Sequence, residues 1–156
     1  MTTTTDLGTD LLRAVARLNR WTTRHTTFTV PAAQARLLAL LDELGPTRVS
    51  VLALADHSSQ PTATAQVNRL EAAGWVRRDG DPGDARACRV SLTEAGSAAL
   101  AEARRARGAV LAPVLERLVE VDPSALARVT DAVLVIGELL DVASHPGAAP
   151  AAPTPQ

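Results

Sequence analysis

The segment that most constrains this chain runs from Gly80 to Gly96: Gly-Asp-Pro-Gly-Asp-Ala-Arg-Ala-Cys-Arg-Val-Ser-Leu-Thr-Glu-Ala-Gly. It follows Trp75-Val76-Arg77-Arg78, a short strand candidate. Two short extended runs joined by a polar Gly/Pro loop at Gly80–Gly83 read as a β-hairpin. The second run ends at Thr93, a residue suited to cap the long helical stretch that follows. A hairpin set between helices, with Arg86 near its tip, has the build of a wing that reaches into DNA.

The rest of the chain must supply a helical body. Hydrophobic residues make up 46% of the 156 residues, but aromatics only 2%. A core of Ala, Leu and Val favours packed helices over a sandwich. Leu7, Leu11, Val15, Leu18 and Trp21 form one stripe of an expected first helix, with Arg13, Arg17, Arg20 and Arg24 on its other side. Pro31 opens a second helix with Leu37, Leu38, Leu41 and Leu44 as buried positions, and Gly45-Pro46 ends it. Thr47-Arg48-Val49 is a brief extended piece. Ser50 caps a third helix over 51–56, and Ser59 caps a fourth that runs to about Ala73 and closes at Gly74. A long helix is expected from about Glu94 to Val119, kinked or broken near Pro113. Asp122-Pro123 starts a last helix bearing Leu126, Val129, Val133, Ile136, Leu139 and Leu140. The Pro/Ala-rich end and the Thr-rich start have nothing to bury.

Two short helices joined by a tight turn make a helix-turn-helix, whose second helix lies in the DNA major groove. On a wheel of residues 61–71, Ala63, Val67 and Leu70 share the core side. Ala65, Asn68 and Arg69 point away, flanked by Thr62 and Thr64. Thr, Asn and Arg are types that meet base edges and phosphates. Arg86 suits the narrow minor groove, with Asp84 to orient it. The net charge of −1 lends no general attraction to DNA. From Pro46 to Gly96 six Arg face six Asp or Glu, so modest, salt-dependent binding is expected.

The segments Ser59-Gln60-Pro61-Thr62-Ala63-Thr64, Arg69-Leu70-Glu71-Ala72-Ala73-Gly74, and Asp84-x-Arg86 with Val90-x-Leu92-Thr93-x-x-Gly96 resemble the MarR family of bacterial transcription regulators. Helix order and spacing match from about Leu7 to Val142. The resemblance implies a mainly α fold: a winged helix-turn-helix over 31–93, with dimerisation helices over 7–30 and 94–143. Unstructured ends are expected over 1–6 and 144–156. It implies a homodimer on double-stranded DNA, with DNA contacts from Ser59, Gln60, Thr62, Thr64, Asn68, Arg69, Asp84 and Arg86. It also implies a repressor released by a small aromatic or phenolic effector, with Trp21, Arg24 and His25 as candidate pocket residues. Ala65 stands where the family often has a basic residue, and Gln66 where it often has an apolar one.

Two alternatives stay open: a redox-responsive repressor acting through Cys88, and a winged-helix module for protein contact without DNA. Cys88 has Arg86 and Arg89 nearby to favour a thiolate, but no second Cys to resolve it. His25, His57 and His145 lie at unrelated spacings, so neither a metal set nor a triad can be assembled, and no phosphate-cradling Gly loop is present. No enzyme activity, cofactor or metal is expected. No membrane span or secretory signal is read, and a cytoplasmic, nucleoid-associated protein is expected.

Overall fold

The computed structural model describes residues 3–81 and 83–144, apart from the side chains of Ala85 and Arg86. Helix α1 (Thr4–His25) begins earlier than the stripe suggested, because Thr3 and Asp6 cap it reciprocally. The Thr3 hydroxyl accepts from the Asp6 N–H, and the Asp6 carboxylate accepts from the Thr3 N–H. The expectation of an unstructured stretch over 1–6 therefore fails from Thr3 onward. Helix α2 (Ala32–Leu44) takes Pro31 as its N-cap and ends at Gly45, whose φ of 67° suits a residue without a Cβ.

Strand β1 (Thr47–Arg48) leads directly into α3 (Val49–Ala55). The expected Ser50 cap is not used. Arg48 is held extended by pairing β1 to β3, so the strand sets where α3 starts. Helix α4 spans Gln60–Ala72 and closes at Gly74, φ 73°. Strands β2 (Val76–Asp81) and β3 (Asp84–Leu92) form the wing hairpin. The antiparallel sheet has the order β1-β3-β2, and its register runs from Val76↔Leu92 to Asp81↔Asp84, with a shift between Gly80 and Asp81. Pairing continues through Asp79↔Arg89 and Gly80↔Cys88, so β2 runs past the expected turn start.

Helix α5 (Glu94–Val121) continues through Pro113, so of the kink or break expected there the break does not occur. Pro113 and Ala109 are both exposed, so the carbonyl that loses its helical partner can turn to water. Helix α6 (Ala125–Ser144) starts two residues after Pro123. The Asp122 carboxylate accepts from the Ser124 N–H at 3.0 Å, and this turn precedes the helix. Of the tail expected over 144–156, all beyond Ser144 lies outside the described residues.

The chain divides into two compact units, residues 1–110 and 111–156. In the first, Leu37, Leu38, Leu41, Leu52, Val67, Leu70, Val76, Val90 and Leu100 form one buried cluster. It ties α2, α3, α4, the sheet and the start of α5 into the helix-turn-helix body. Leu44 shares their helix face but sits on the last residue of α2, where it is 46% exposed, so it is not the buried position expected. The α1 stripe stays open to solvent: Leu7, Val15 and Leu18 are exposed. In the second unit, α6 exposes Leu126, Val133, Leu134, Val135, Leu139 and Leu140, and buries Ala125. Among the described residues no helix is long and apolar enough to cross a membrane.

Candidate nucleic-acid interface

The turn between α3 and α4 is set by backbone chemistry. The Ser58 N–H donates to the Ala53 carbonyl and the His57 N–H to the Leu54 carbonyl, closing α3 in a Schellman motif. His57 takes the left-handed position at φ 51°, one that His fills more readily than bulkier residues. Asp56 at the C-cap is held by Arg36 from α2, and that hydrogen bond keeps its carboxyl below the usual range.

Ser59 then caps α4, accepting from the Thr62 N–H at 3.3 Å, with its hydroxyl 2.8 Å from that of Thr62. Its first role is therefore to start the helix. As the wheel implied, Ala63, Val67 and Leu70 are buried and Thr62, Ala65, Asn68 and Arg69 are exposed. The Thr64 hydroxyl donates to the Gln60 carbonyl at 2.8 Å. The Thr64 hydroxyl proton is thus taken up within the helix, which leaves its oxygen as an acceptor. Gln60, Pro61, Thr64, Ala65 and Asn68 border one shallow depression on this face. Gln66 is half-buried, and its Oε1 has no hydrogen-bond partner among the described residues.

Arg78 on β2 joins the wing to this helix. Its Nη2 donates to Asn68 Oδ1 at 2.6 Å, and its Nη1 donates to Glu71 Oε2 at 2.8 Å. Sequence reasoning gave Arg78 no role, because the contacts span ten and seven residues and depend on where the strand lands.

A second unforeseen residue is Asp81. Its side chain is 1% exposed and receives Arg48 Nε at 2.6 Å, Arg89 Nη2 at 3.2 Å and the Gly83 N–H at 3.0 Å. The Gly83 N–H, then the two guanidiniums, hold its carboxyl far below the ordinary carboxylate range. This cluster ties the wing to β1. Asp84, expected to orient Arg86, stands with its carboxylate 3.7 Å from Arg48 Nη2. The side chain of Arg86, and so its expected role, lies outside the described residues. Arg77 pairs with Asp79 at 2.8 Å, while Arg69 makes no ion pair among the described residues.

The candidate pocket residues do come together. Trp21 and His25 stack with ring centroids 4.4 Å apart, and Arg24 borders the same depression. Every residue lining it belongs to α1, so it is an outer face of one helix and not a cleft. A different cavity, about 370 Å³, lies among α1, α2 and α5, lined by Asn19, Thr23, Arg36, Leu100, Arg104 and Arg107 among others. The Arg107 guanidinium sits 5.3 Å from the Phe28 ring centroid, and its buried Nε has no hydrogen-bond partner among the described residues. Arginines this far apart in sequence gave no signal of a shared cavity.

The family model of the MarR family matches residues 30–88. An HTH-type transcriptional regulator from Mycobacterium tuberculosis is 31% identical over 131 residues, covering 83% of this chain and 92% of that protein. Among solved structures, a MarR family protein from Bacillus stearothermophilus aligns with a TM-score of 0.58 at 25% identity, over 83% of this chain and 94% of its own. The transcriptional regulator Tm0710 from Thermotoga maritima shares the fold, with a TM-score of 0.65 at 24% identity, over 85% and 95% of the two chains.

Proposed function

This chain belongs to the MarR family of DNA-binding, helix-turn-helix transcription regulators, and we propose that it is a homodimeric repressor of an inverted-repeat operator, released by a small aromatic anion. The observation that carries the DNA reading is the outer face of α4. Thr62, Asn68 and Arg69 stand exposed and Thr64 half-buried beside them on a helix anchored by Ala63, Val67 and Leu70, with the wing fastened beside it by Arg78. Two such helices related by a two-fold axis meet successive major grooves, about 10 base pairs apart. Ser59 and Gln60 sit at the helix start, where backbone N–H groups favour a phosphate. Arg69, without a carboxylate partner among the described residues, grips the backbone.

The dimer reading is supported by apolar surface exposed among the described residues. Leu7, Val15 and Leu18 on α1, and Val133, Leu139 and Leu140 on α6, are exposed, and apolar areas of this kind mark contact surfaces. The effector is assigned to the cavity among α1, α2 and α5 and not to Trp21, Arg24 and His25. Arg36, Arg104 and Arg107 line it; the first two are paired with Asp56 and Asp42, and the Nε of Arg107, unpartnered among the described residues, favours an aromatic carboxylate or phenolate.

The test is fluorescence anisotropy on labelled duplexes from the chain's own upstream region and on scrambled controls, at several salt concentrations. Cognate DNA should bind tighter. Arg69→Ala should weaken both duplexes alike and lower the salt slope by about one unit. Benzoate should release wild-type protein and fail to release Arg107→Met. Equal affinity for cognate and scrambled DNA would remove the operator reading, and unchanged benzoate release from Arg107→Met would remove the effector site.

A further inference from the structure

From the contact between Arg78 and Asn68 we infer that Arg78 is a specificity-determining residue: it biases Asn68 toward acceptor-rich base edges, guanine above all, and against adenine. The inference rests on the reading of α4 as the helix that enters the major groove. A free asparagine amide pairs bidentately with adenine, its oxygen accepting from N6 and its NH₂ donating to N7. Here one of the oxygen's two lone pairs is already engaged by a charged donor. Guanidinium carries only donors, so the atom 2.6 Å from Arg78 Nη2 must be Oδ1, and the NH₂ is left to face outward.

Arg78 is not free to swing away. Its other arm donates to Glu71 at 2.8 Å, one turn further along α4 from Asn68. Both partners rise from the same helix, so the guanidinium is clamped at two points on α4 while its backbone is fixed in β2. Its side chain is 32% exposed and Glu71's 39%, so the pair is partly shielded from water.

Chemistry then ranks the bases. Adenine presents N7 as acceptor and N6 as donor. The N6 donor would approach an oxygen that already accepts a charged hydrogen bond, beside a fixed positive charge. Guanine presents O6 and N7, both acceptors, and both suit the amide hydrogens and the guanidinium behind them. Thymine offers O4 as one acceptor. Cytosine offers a donor and is the least suited. Wild-type protein should therefore prefer guanine, then thymine, at the position under Asn68. Freeing the oxygen should restore adenine.

The experiment selects bound duplexes from a random pool with the full-length chain, sequences them, and confirms the base ranking by anisotropy. Asn68→Ala identifies the position, because preference there should flatten. Wild type should favour guanine over adenine about tenfold, and Arg78→Met, which keeps the apolar stem, should shift that ratio about tenfold toward adenine. Thermal unfolding of Arg78→Met checks that the variant is folded. Adenine ranked first by wild type overturns the inference, whether or not the variant folds. So does an unchanged ranking in folded Arg78→Met, or a preference that Asn68→Ala leaves intact. Binding that never distinguishes one duplex from another takes away the operator reading itself, and this inference with it.

Discussion

Gly96→Ala sets two effects of opposite sign against each other. Alanine is the better helix former by about 1 kcal/mol in a helix interior, so propensity alone predicts a more stable protein. The structure predicts the reverse. A Cβ on Gly96 would lie 1.9 Å from the Trp75 carbonyl oxygen and 2.8 Å from its carbon. The oxygen cannot rotate aside without loss, since it accepts from the Thr93 N–H at 3.0 Å. Thr93 is held in turn: its hydroxyl donates to the Gly74 carbonyl at 2.7 Å and accepts from the Gly96 N–H at 3.0 Å. The start of α5 and the two ends of the wing hairpin thus form one interlocked joint.

Relieving that overlap requires backbone to move by on the order of 1.5 Å, more than a side-chain rearrangement provides. Overpacking that displaces side chains costs about 1–3 kcal/mol, and a clash with fixed backbone belongs at or above the upper end. After the propensity gain the net loss should be roughly 2–3 kcal/mol. In a chain of this size that lowers Tm by roughly 5–10 °C. Thermal and urea unfolding of both proteins at equal protomer concentration measures it, because association shifts apparent stability. The wing should loosen as well, so operator affinity should fall in the folded variant. An unchanged or raised Tm would show that the joint yields at little cost and that the clash does not govern this position.

Two further outcomes follow from other parts of the chain. The Asp81 carboxyl is depressed in the folded state, so its contribution to stability is present above the unfolded value near pH 4 and is lost as pH falls through the lower folded value. Urea midpoints at pH 7, 4 and 3 should show an acid loss that Asp81→Asn reduces, and equal acid limbs for the two proteins would deny Asp81 this role. Light scattering at micromolar concentration should give a dimer mass for wild type and a smaller mass for Leu18→Glu combined with Val133→Glu, while a monomeric wild type would dismiss the dimer.

What could be read from the residues was what depends on period and on local caps. Ala63, Val67 and Leu70 lie buried as the wheel implied, Gly74 closes α4, and Thr93 caps α5. Contacts that require a register were not legible. Arg78 meets Asn68 across ten residues, and Arg48 meets Asp81 across 33, only because β1, β3 and β2 pair as they do. A shift of one residue in either strand would send those side chains to the other face. The register irregularity at Gly80 and Asp81 shows why no alternation rule would have turned Asp81 inward. The start of α3 was missed for a related reason: strand pairing at Arg48, and not a capping side chain, defines it.

The pairing of charges around the wing decides how this surface can hold DNA. Arg48 and Arg89 are committed to Asp81, whose side chain is buried, and pulling either toward a phosphate would leave a buried carboxylate short of a partner. Arg78 is committed to α4. Arg77 is different, because its pair with Asp79 is 62% and 54% exposed, and such a surface pair is worth little. It can exchange Asp79 for a phosphate at small cost, and Arg69 needs no exchange at all. Of these five described arginines, two are therefore free to move to the backbone and three shape the surface. Salt sensitivity counts the first group, since each phosphate contact contributes roughly 0.9 to the slope. Base selectivity is expected to rest on Arg78 in the second group. Asp79→Asn should thus raise affinity for every duplex without changing the base ranking, while changes at Arg78 should change the ranking.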